Sequence, residues 1–226
     1  MENIVIAIDG PSGVGKGTLC QRLAQHFDFD LLDSGAIYRV LGVAAVKKRI
    51  ALEDENALSA LGSTLNLQFI PHESAVQVLL DGEDVSVAIR TEQAGINASK
   101  VAALPKVRSA LLQRQRDFST PRGLIADGRD MGTVVFPTAQ IKIFLDASSE
   151  VRAQRRYNQL LGKGVMADFD AILADIKARD DRDRNRAVAP LKPAQDAYFL
   201  DTSELSVGQV LEKALQYIDH NLNLKV

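Results

Sequence analysis

The sequence predicts an α/β protein built on a mainly parallel sheet, and three observations carry that expectation. Short apolar runs of strand length alternate with stretches of helical periodicity. Each run ends at or beside an aspartate, and polar groups at the carboxyl ends of parallel strands mark the ligand-binding edge of such sheets. A glycine-rich turn, GPSGVGKGT at 10–18, lies between the first apolar run and the first helical stretch.

Buried strands are expected at IVIAI (4–8), DLLD (30–33), GLIAD (123–127), IKIFLD (141–146) and AYFLD (197–201). Helices are expected at about 16–27, 37–48, 101–116, 149–161, 168–180 and 206–220. Residues 65–87, LNLQFIPHESAVQVLLDGEDVSV, interrupt the alternation. They read as short antiparallel strands joined by a Pro-His-Glu-Ser loop and an Asp81-Gly82 turn, a small β insert rather than a second domain. No internal repeat or low-complexity linker is evident.

The chain has 226 residues, 46% hydrophobic and 25% charged, which suits one globular domain with inserted lids. Its 27 basic and 29 acidic residues give no whole-molecule attraction to nucleic acid or an anionic membrane, so any phosphate-binding surface has to be local. The single cysteine, Cys20, forbids an intramolecular disulfide and favours a cytosolic setting. It reads as a small buried hydrophobe rather than a reactive thiol. MENIVIAIDG lacks a basic n-region and is not read as a signal peptide. Apolar runs such as VLGVAAV fall far short of the ~20 residues a membrane span needs.

GPSGVGKGT has the composition of a phosphate cradle. Its glycines let backbone N–H groups turn inward on a polyphosphate, the new helix adds its positive end, and Lys16 adds a mobile cation. Gly17 stands where a Ser or Thr normally holds Mg²⁺, and the hydroxyl arrives one place later as Thr18. A water-mediated contact to the metal is therefore expected. The chain contains no Asn-Lys-x-Asp element of a switch GTPase, and His26, His72 and His220 lie outside every motif. A phosphate acceptor needs no general base, because its second pKa is near ~6. It needs positioning and positive charge.

Two further turns are expected on the same sheet edge. LLDSGAIYR (31–39) carries Asp33, Ser34, Tyr38 and Arg39, with Ser34 and Tyr38 on one helical face. ADGRD (126–130) carries Asp127, Arg129 and Asp130. RDDRDRNR (179–186) packs four arginines and three aspartates into eight residues. Charge runs are usually solvated surface. Here Arg179, Arg182 and Arg186 stand at i, i+3 and i+7, which would place them on one helical face, with Asp180, Asp181 and Asp183 tempering their repulsion. Arg152, Arg155 and Arg156 would form a second basic cluster at the other end of the same helical hairpin.

Taken in order, IDGPSGVGKGT, DSGAIYR, GEDVSVAIR, SKVAALPKVR, IADGRDMGT and RDDRDRNRAVAPL make the chain resemble the bacterial cytidylate kinases over nearly its whole length. The last fits that family's R-D-x-x-D-x-x-R lid element. The resemblance implies a P-loop nucleoside monophosphate kinase fold: a parallel five-stranded core (1–38, 100–150 and 187–226) with helices on both faces, an enlarged CMP-binding insert (about 39–99) and a helical lid (about 151–186).

It implies transfer of the γ-phosphoryl group of ATP to CMP, with dCMP as a second acceptor and Mg²⁺ held through water and the ATP phosphates rather than by a protein ligand set. ATP would lie on Gly10, Pro11, Ser12, Gly13, Val14, Gly15, Lys16, Gly17 and Thr18, with Arg155. Ser34, Arg108 and Asp130 would read the base. Ser99, Arg179 and Asp183 would meet the sugar, while Arg39, Arg129 and Arg186 would hold phosphate, with Tyr38 and Asp127 lining the CMP site. Lys16, Arg129, Arg179 and Arg186 would carry the catalytic charge.

An aspartate accepts from the cytosine N4 amine and an arginine donates to N3 and O2, which suits that base. The family also implies a cytoplasmic monomer that binds neither nucleic acid nor membrane. The alternatives are a kinase of another small acceptor and a nucleic-acid-binding ATPase. Against the latter stand the acidic balance and only 5% aromatic residues.

Overall fold

The computed structural model describes residues 3–71 and 76–222, which form two compact units. The first comprises Met1–Asp33 and Arg116–Val226, the second Ser34–Gln115.

The first unit is built on a five-stranded sheet of β1 (Val5–Asp9), β2 (Asp30–Asp33), β6 (Leu124–Gly128), β7 (Ile141–Asp146) and β8 (Tyr198–Asp201). The order is β2-β6-β1-β7-β8 and every pairing is parallel. All five residues of β1 are buried, as a central strand covered on both faces requires. On one face Ile6, Ile8, Ile143, Leu145 and Leu200 pack with Leu19 and Leu23 of α1 (Lys16–Phe27) and Val210, Ala214 and Ile218 of α8 (Val207–Leu222). The α8 contacts recur every four residues, the stripe of an amphipathic helix. Each fully buried Ile or Leu of this layer contributes about 1.5–3 kcal/mol. Cys20 lies in the same layer, and burial raises its thiol pKa well above the usual value. It is the small hydrophobe the sequence suggests.

The register places Asp33 beside Asp127, Asp9 beside Gly128, and Asp146 beside Asp201. The strand-terminal aspartates therefore share one edge. From that edge rise α6 (Ser149–Leu161) and α7 (Phe169–Asn185), which pack on each other as a helical hairpin. Their N-termini are capped by Ser148, which accepts from the Val151 amide, and Asp168, which accepts from the Asp170 and Ala171 amides.

In the second unit, α2 (Ser34–Lys47) buries nine of its residues and packs on α4 (Glu92–Val101). Gly42 permits that approach, since a Cβ there would stand 3.2 Å from Asn97 Cβ. The insert forms a three-stranded antiparallel sheet, β3 (Leu67–Pro71), β4 (Val76–Leu80) and β5 (Glu83–Asp84). Asp81 (φ 52) and Gly82 (φ 84) make the two-residue β4–β5 turn with both residues left-handed, as Asp-Gly predicts. Of the expected Pro-His-Glu-Ser loop, His72, Glu73 and Ser74 lie outside the described residues.

The helix expected at 101–116 starts four residues later. α4 ends at Val101, and α5 (Pro105–Arg116) begins on a proline, which suits a first helical turn. Helix α3 (Glu55–Ser63) and α4 were not anticipated, although each has a readable start. Asp54 accepts from the Ala57 amide and Thr91 from the Ala94 amide. A five-residue π-turn, Met131–Val135, follows β6.

Candidate active site

The loop between β1 and α1 opens at Gly10, whose backbone (φ 150) runs against β7 so closely that a Cβ would lie 2.2 Å from the Leu145 carbonyl oxygen. No other residue fits there. Gly13, Gly15, Gly17 and Thr18 present the exposed side of the loop. Lys16, only 6% exposed, folds over it. Its Nζ donates to the Pro11 carbonyl at 2.9 Å and stands 3.9 Å from Asp127 Oδ1. Its pKa is lowered to about 8, chiefly by burial and then by the guanidinium groups of Arg129 and Arg179, with Asp127 opposing them. Lys16 thus shares the loop with the field of two arginines and a nearby carboxylate, Asp127.

The α6–α7 hairpin is wired to this loop at its base. Arg152, 2% exposed, donates from Nε to the Ala147 carbonyl at 2.9 Å and from Nη1 to the Ser12 carbonyl at 3.0 Å. Both its terminal nitrogens also pair with the Asp180 carboxylate. Arg179 Nη1 donates to Ser12 Oγ at 3.0 Å. Two arginines of the hairpin therefore grip one loop residue, one through its backbone and one through its side chain.

The turn after β6 meets the far end of α7. Arg129 Nε donates to Asp183 Oδ2 at 3.1 Å, and Arg186 Nη2 to Asp130 Oδ1 at 3.4 Å. Arg186 also donates from Nε to the Ala189 carbonyl. Each arginine has a carboxylate on the opposite element, so the hairpin and the turn are cross-tied by two ion pairs, Arg186–Asp130 buried and Arg129–Asp183 partly buried.

In the second unit, Ser34 Oγ donates to Gln115 Oε1 at 2.7 Å, while Gln115 Nε2 donates to the Leu111 carbonyl at 3.3 Å. The Arg108 guanidinium lies 5.7 Å from the centre of the Tyr38 ring and donates to the Ala102 carbonyl at 3.2 Å. Arg39 Nη1 donates to the Ile89 carbonyl at 2.8 Å, and Ser99 is buried on α4. Ser34, Tyr38, Arg39, Ser99 and Arg108 are thus ordered within the second unit. Lys16, Asp127, Arg129, Asp130, Arg155, Arg179, Asp183 and Arg186 belong to the first.

Three readings of the charged residues need correction. Arg186 does not continue the face of Arg179 and Arg182, because α7 ends at Asn185 and Arg186 is its extended cap (ψ 142). Asp180 and Asp183 are not diffuse shielding; each pairs with an arginine of another element, and Asp181 accepts from Asn185 Nδ2. Arg152 does not lie at the opposite end of the hairpin from Arg179, because both reach Ser12. Arg152 is held by Ala147, Ser12 and Asp180, Arg155 donates to the Thr202 carbonyl, and Arg156 donates to Gln159 Oε1.

Sequence reasoning missed Asp9, Gln115 and Thr202. Asp9 is buried at the end of β1 and accepts from the Met131 and Gly132 amides, each at 2.8 Å. Thr202, 1% exposed, has its hydroxyl 3.4 Å from the Val14 carbonyl and 3.2 Å from that of Asp146. For Asp9 the signal was available: a carboxylate closing a strand that is apolar throughout. Gln115 and Thr202 carried none.

The family model for cytidylate kinase matches residues 6–220. Among curated proteins, the chain is 63% identical over 222 residues to a cytidylate kinase of Pasteurella multocida, covering 98% of both chains. It is 59% identical over 223 residues to a cytidylate kinase of Mannheimia succiniciproducens, covering 99% of both. To one of Vibrio cholerae it is 60% identical over 218 residues, covering 96% of this chain and 97% of that one.

Proposed function

The chain belongs to the cytidylate kinase family, and on that premise we propose how its residues divide the transfer of the γ-phosphoryl group of ATP to CMP. The enzyme forms CDP and ADP. The observation that most supports the division of labour is the cationic loop, with Lys16 buried between Pro11 and Asp127 while Arg129 and Arg179 press on it.

ATP lays its phosphates along Gly10–Thr18, where Lys16 exchanges the Pro11 carbonyl for the β- and γ-phosphates. That exchange adds negative partners to a cation that burial has destabilised and that Asp127 offsets only in part. CMP brings an acceptor phosphate already largely ionised at neutral pH, so no side chain has to remove a proton. What lowers the barrier is charge complementarity to the transferring group, supplied by Lys16, Arg129, Arg179 and Arg186. Arg179 starts from Ser12 in the loop itself. Closing the hairpin excludes water that would otherwise hydrolyse ATP.

Ser34, Arg108 and Asp130 read the base in this proposal, Ser99, Arg179 and Asp183 the sugar, and Arg39, Arg129 and Arg186 the acceptor phosphate. Tyr38 and Asp127 complete the CMP set, and Arg155 serves ATP. The same set accepts dCMP.

Mg²⁺ fits the residues present. Thr18 and Asp127 offer hard oxygen donors beside the loop, and a Cβ at Gly17 would be 3.8 Å from Asp127 Oδ2. Mg²⁺ ordinarily keeps several waters and binds through one or two carboxylates plus substrate phosphates. When bound, Mg²⁺ neutralises charge on the β- and γ-phosphates.

No helix among the described residues is long and apolar enough to cross a membrane. Work as a cytoplasmic monomer is part of the proposal, and size-exclusion chromatography tests the oligomeric half. The central experiment is ADP release across CMP, dCMP, UMP, AMP and dTMP. The proposal expects CMP and dCMP to be used well and the others poorly. Equal use of UMP and CMP would overturn the base-reading set.

A further inference from the structure

Asp9 is 4% exposed at the carboxyl end of a strand whose other residues are all apolar. Burial raises its pKa to about 7, against the pull of two amide hydrogen bonds. A buried carboxylate is costly, and it persists where something fixed depends on it. Its oxygens divide their work evenly. Oδ1 accepts from the Met131 amide and Oδ2 from the Gly132 amide, each at 2.8 Å. Those amides open the π-turn, and the first amides of a helical turn have no partner inside it.

The residues immediately before the turn are Arg129 and Asp130. The Asp130 carbonyl accepts from the Val134 and Val135 amides, so its backbone is locked into the turn that Asp9 anchors. Gly132 allows the close approach. A Cβ there would stand 3.5 Å from Asp9 Oδ2 and 3.1 Å from Cδ of Lys142, itself held by the Pro137 carbonyl and Asp196. The side chains of Arg129 and Asp130 leave this anchored segment to meet Asp183 and Arg186.

We propose that Asp9 is a positioning residue for the acceptor nucleotide: by holding the Met131 and Gly132 amides it fixes the segment that aims Arg129 and Asp130 at CMP. This rests on the assignment of Arg129 and Asp130 to the CMP site. Asp9 touches no substrate itself. The charges that bear on it are Asp130, which disfavours its ionised form, and Lys16, which favours it; the Lys142 stem packs against Gly132 beside it. Only the carboxylate offers an acceptor to both amides.

Asp9→Asn tests this without changing side-chain size, because an amide can accept from one N–H but turns a donor toward the other. The expected result at pH 7 is a rise of about tenfold or more in KM for CMP together with a fall in kcat, the scale of one lost buried hydrogen bond. The Kd for ATP should stay within about threefold.

A pH profile adds a second readout. In the wild type, kcat/KM for CMP should fall below pH about 7, as Asp9 gains a proton and one amide loses its acceptor. Asp9→Asn should lose that part of the acid limb, while the limb due to the phosphate of CMP persists in both enzymes. Should Asp9→Asn fold poorly, Gly132→Ala displaces the same segment while keeping the carboxylate, and it should reproduce the selective rise in KM for CMP.

Unchanged CMP constants in both variants, or CMP and ATP binding lost in equal measure alongside a collapsed Tm, would overturn the inference. Arg129→Ala and Asp130→Ala separate it from the reading beneath. If they raise KM for CMP while Asp9→Asn does not, only the role of Asp9 falls. If neither moves the CMP constants, the site assignment fails and Asp9 goes with it.

Discussion

Asp130→Asn exchanges a charge for an amide of the same shape at the position assigned to the cytosine amine. Asp130 is 3% exposed, so its hydrogen bonds are made with little competition from water. A hydrogen bond to a charged group contributes about 1.5–3 kcal/mol and a neutral one about 0.5–1.5 kcal/mol, so CMP should lose roughly 1–1.5 kcal/mol, about a five- to thirteenfold fall in kcat/KM. UMP should move the other way. The O4 of uracil faces a like-charged acceptor in the wild type but can accept from the amide in the variant, a gain of about 1 kcal/mol. The CMP:UMP ratio should therefore shrink by roughly thirty- to seventyfold.

Stability should fall only modestly. Truncating one member of a buried ion pair costs about 3–5 kcal/mol, but asparagine keeps an oxygen for Arg186, which also has the Ala189 carbonyl. A loss near 1–2 kcal/mol, or a few degrees in Tm, is expected for a chain of this size. The assay is ADP release with CMP or UMP at 25 °C. A common factor of loss for both substrates would mean that Asp130 acts through Arg186 or the turn, and the base-reading argument would fail.

Lys16→Met should lower kcat/KM by about a hundredfold or more without lowering Tm at pH 7, because it deletes a transition-state charge that the fold desolvates at a cost. The sign follows from its pKa. Lys16 is depressed to about 8 from 10.5, so its destabilising effect is fully present below about pH 8 and disappears as pH rises toward 10.5. For the same reason kcat/KM for ATP should decline above pH about 8, and Lys16→Arg, which stays charged, should abolish that decline whatever its absolute rate. Arg152→Ala should cost about 3–5 kcal/mol, seen as a large drop in urea midpoint, since it leaves the Asp180 carboxylate and the Ser12 carbonyl without their shared partner. Gly10→Ala should fail to give folded protein by circular dichroism, because the new Cβ would meet the β7 backbone rather than a side chain that can move.

The sequence by itself determined whatever is written locally. Ile-Val-Ile-Ala-Ile can be buried on both faces only as a central strand. Gly-Pro-Ser-Gly-Val-Gly-Lys-Gly-Thr between strand and helix has a single good use. Asp81-Gly82 selects its turn through two left-handed residues, and those features come from neighbours in the chain, whose geometry the backbone already restricts. The order of several such stretches sufficed for the family.

The tertiary structure alone decided what each charge in RDDRDRNR faces. Asp180 meets Arg152, 28 residues away, and Asp183 meets Arg129, 54 residues away. A charge pattern cannot say which of many possible counter-ions will share its burial. Arg186 was misplaced because helical periodicity runs past the point where the helix stops. The chain leaves it there as the Leu191 amide turns back to the Asp183 carbonyl at 2.8 Å, through Ala189 at φ 51 and before Pro190. Asp9 shows the limit most plainly. Its partners are amides 122 and 123 residues distant, and a backbone amide leaves no trace in the identity of its residue. Side-chain chemistry is encoded one position at a time, whereas the pairing of buried polar groups depends on which elements the packed sheet brings within three ångströms of each other.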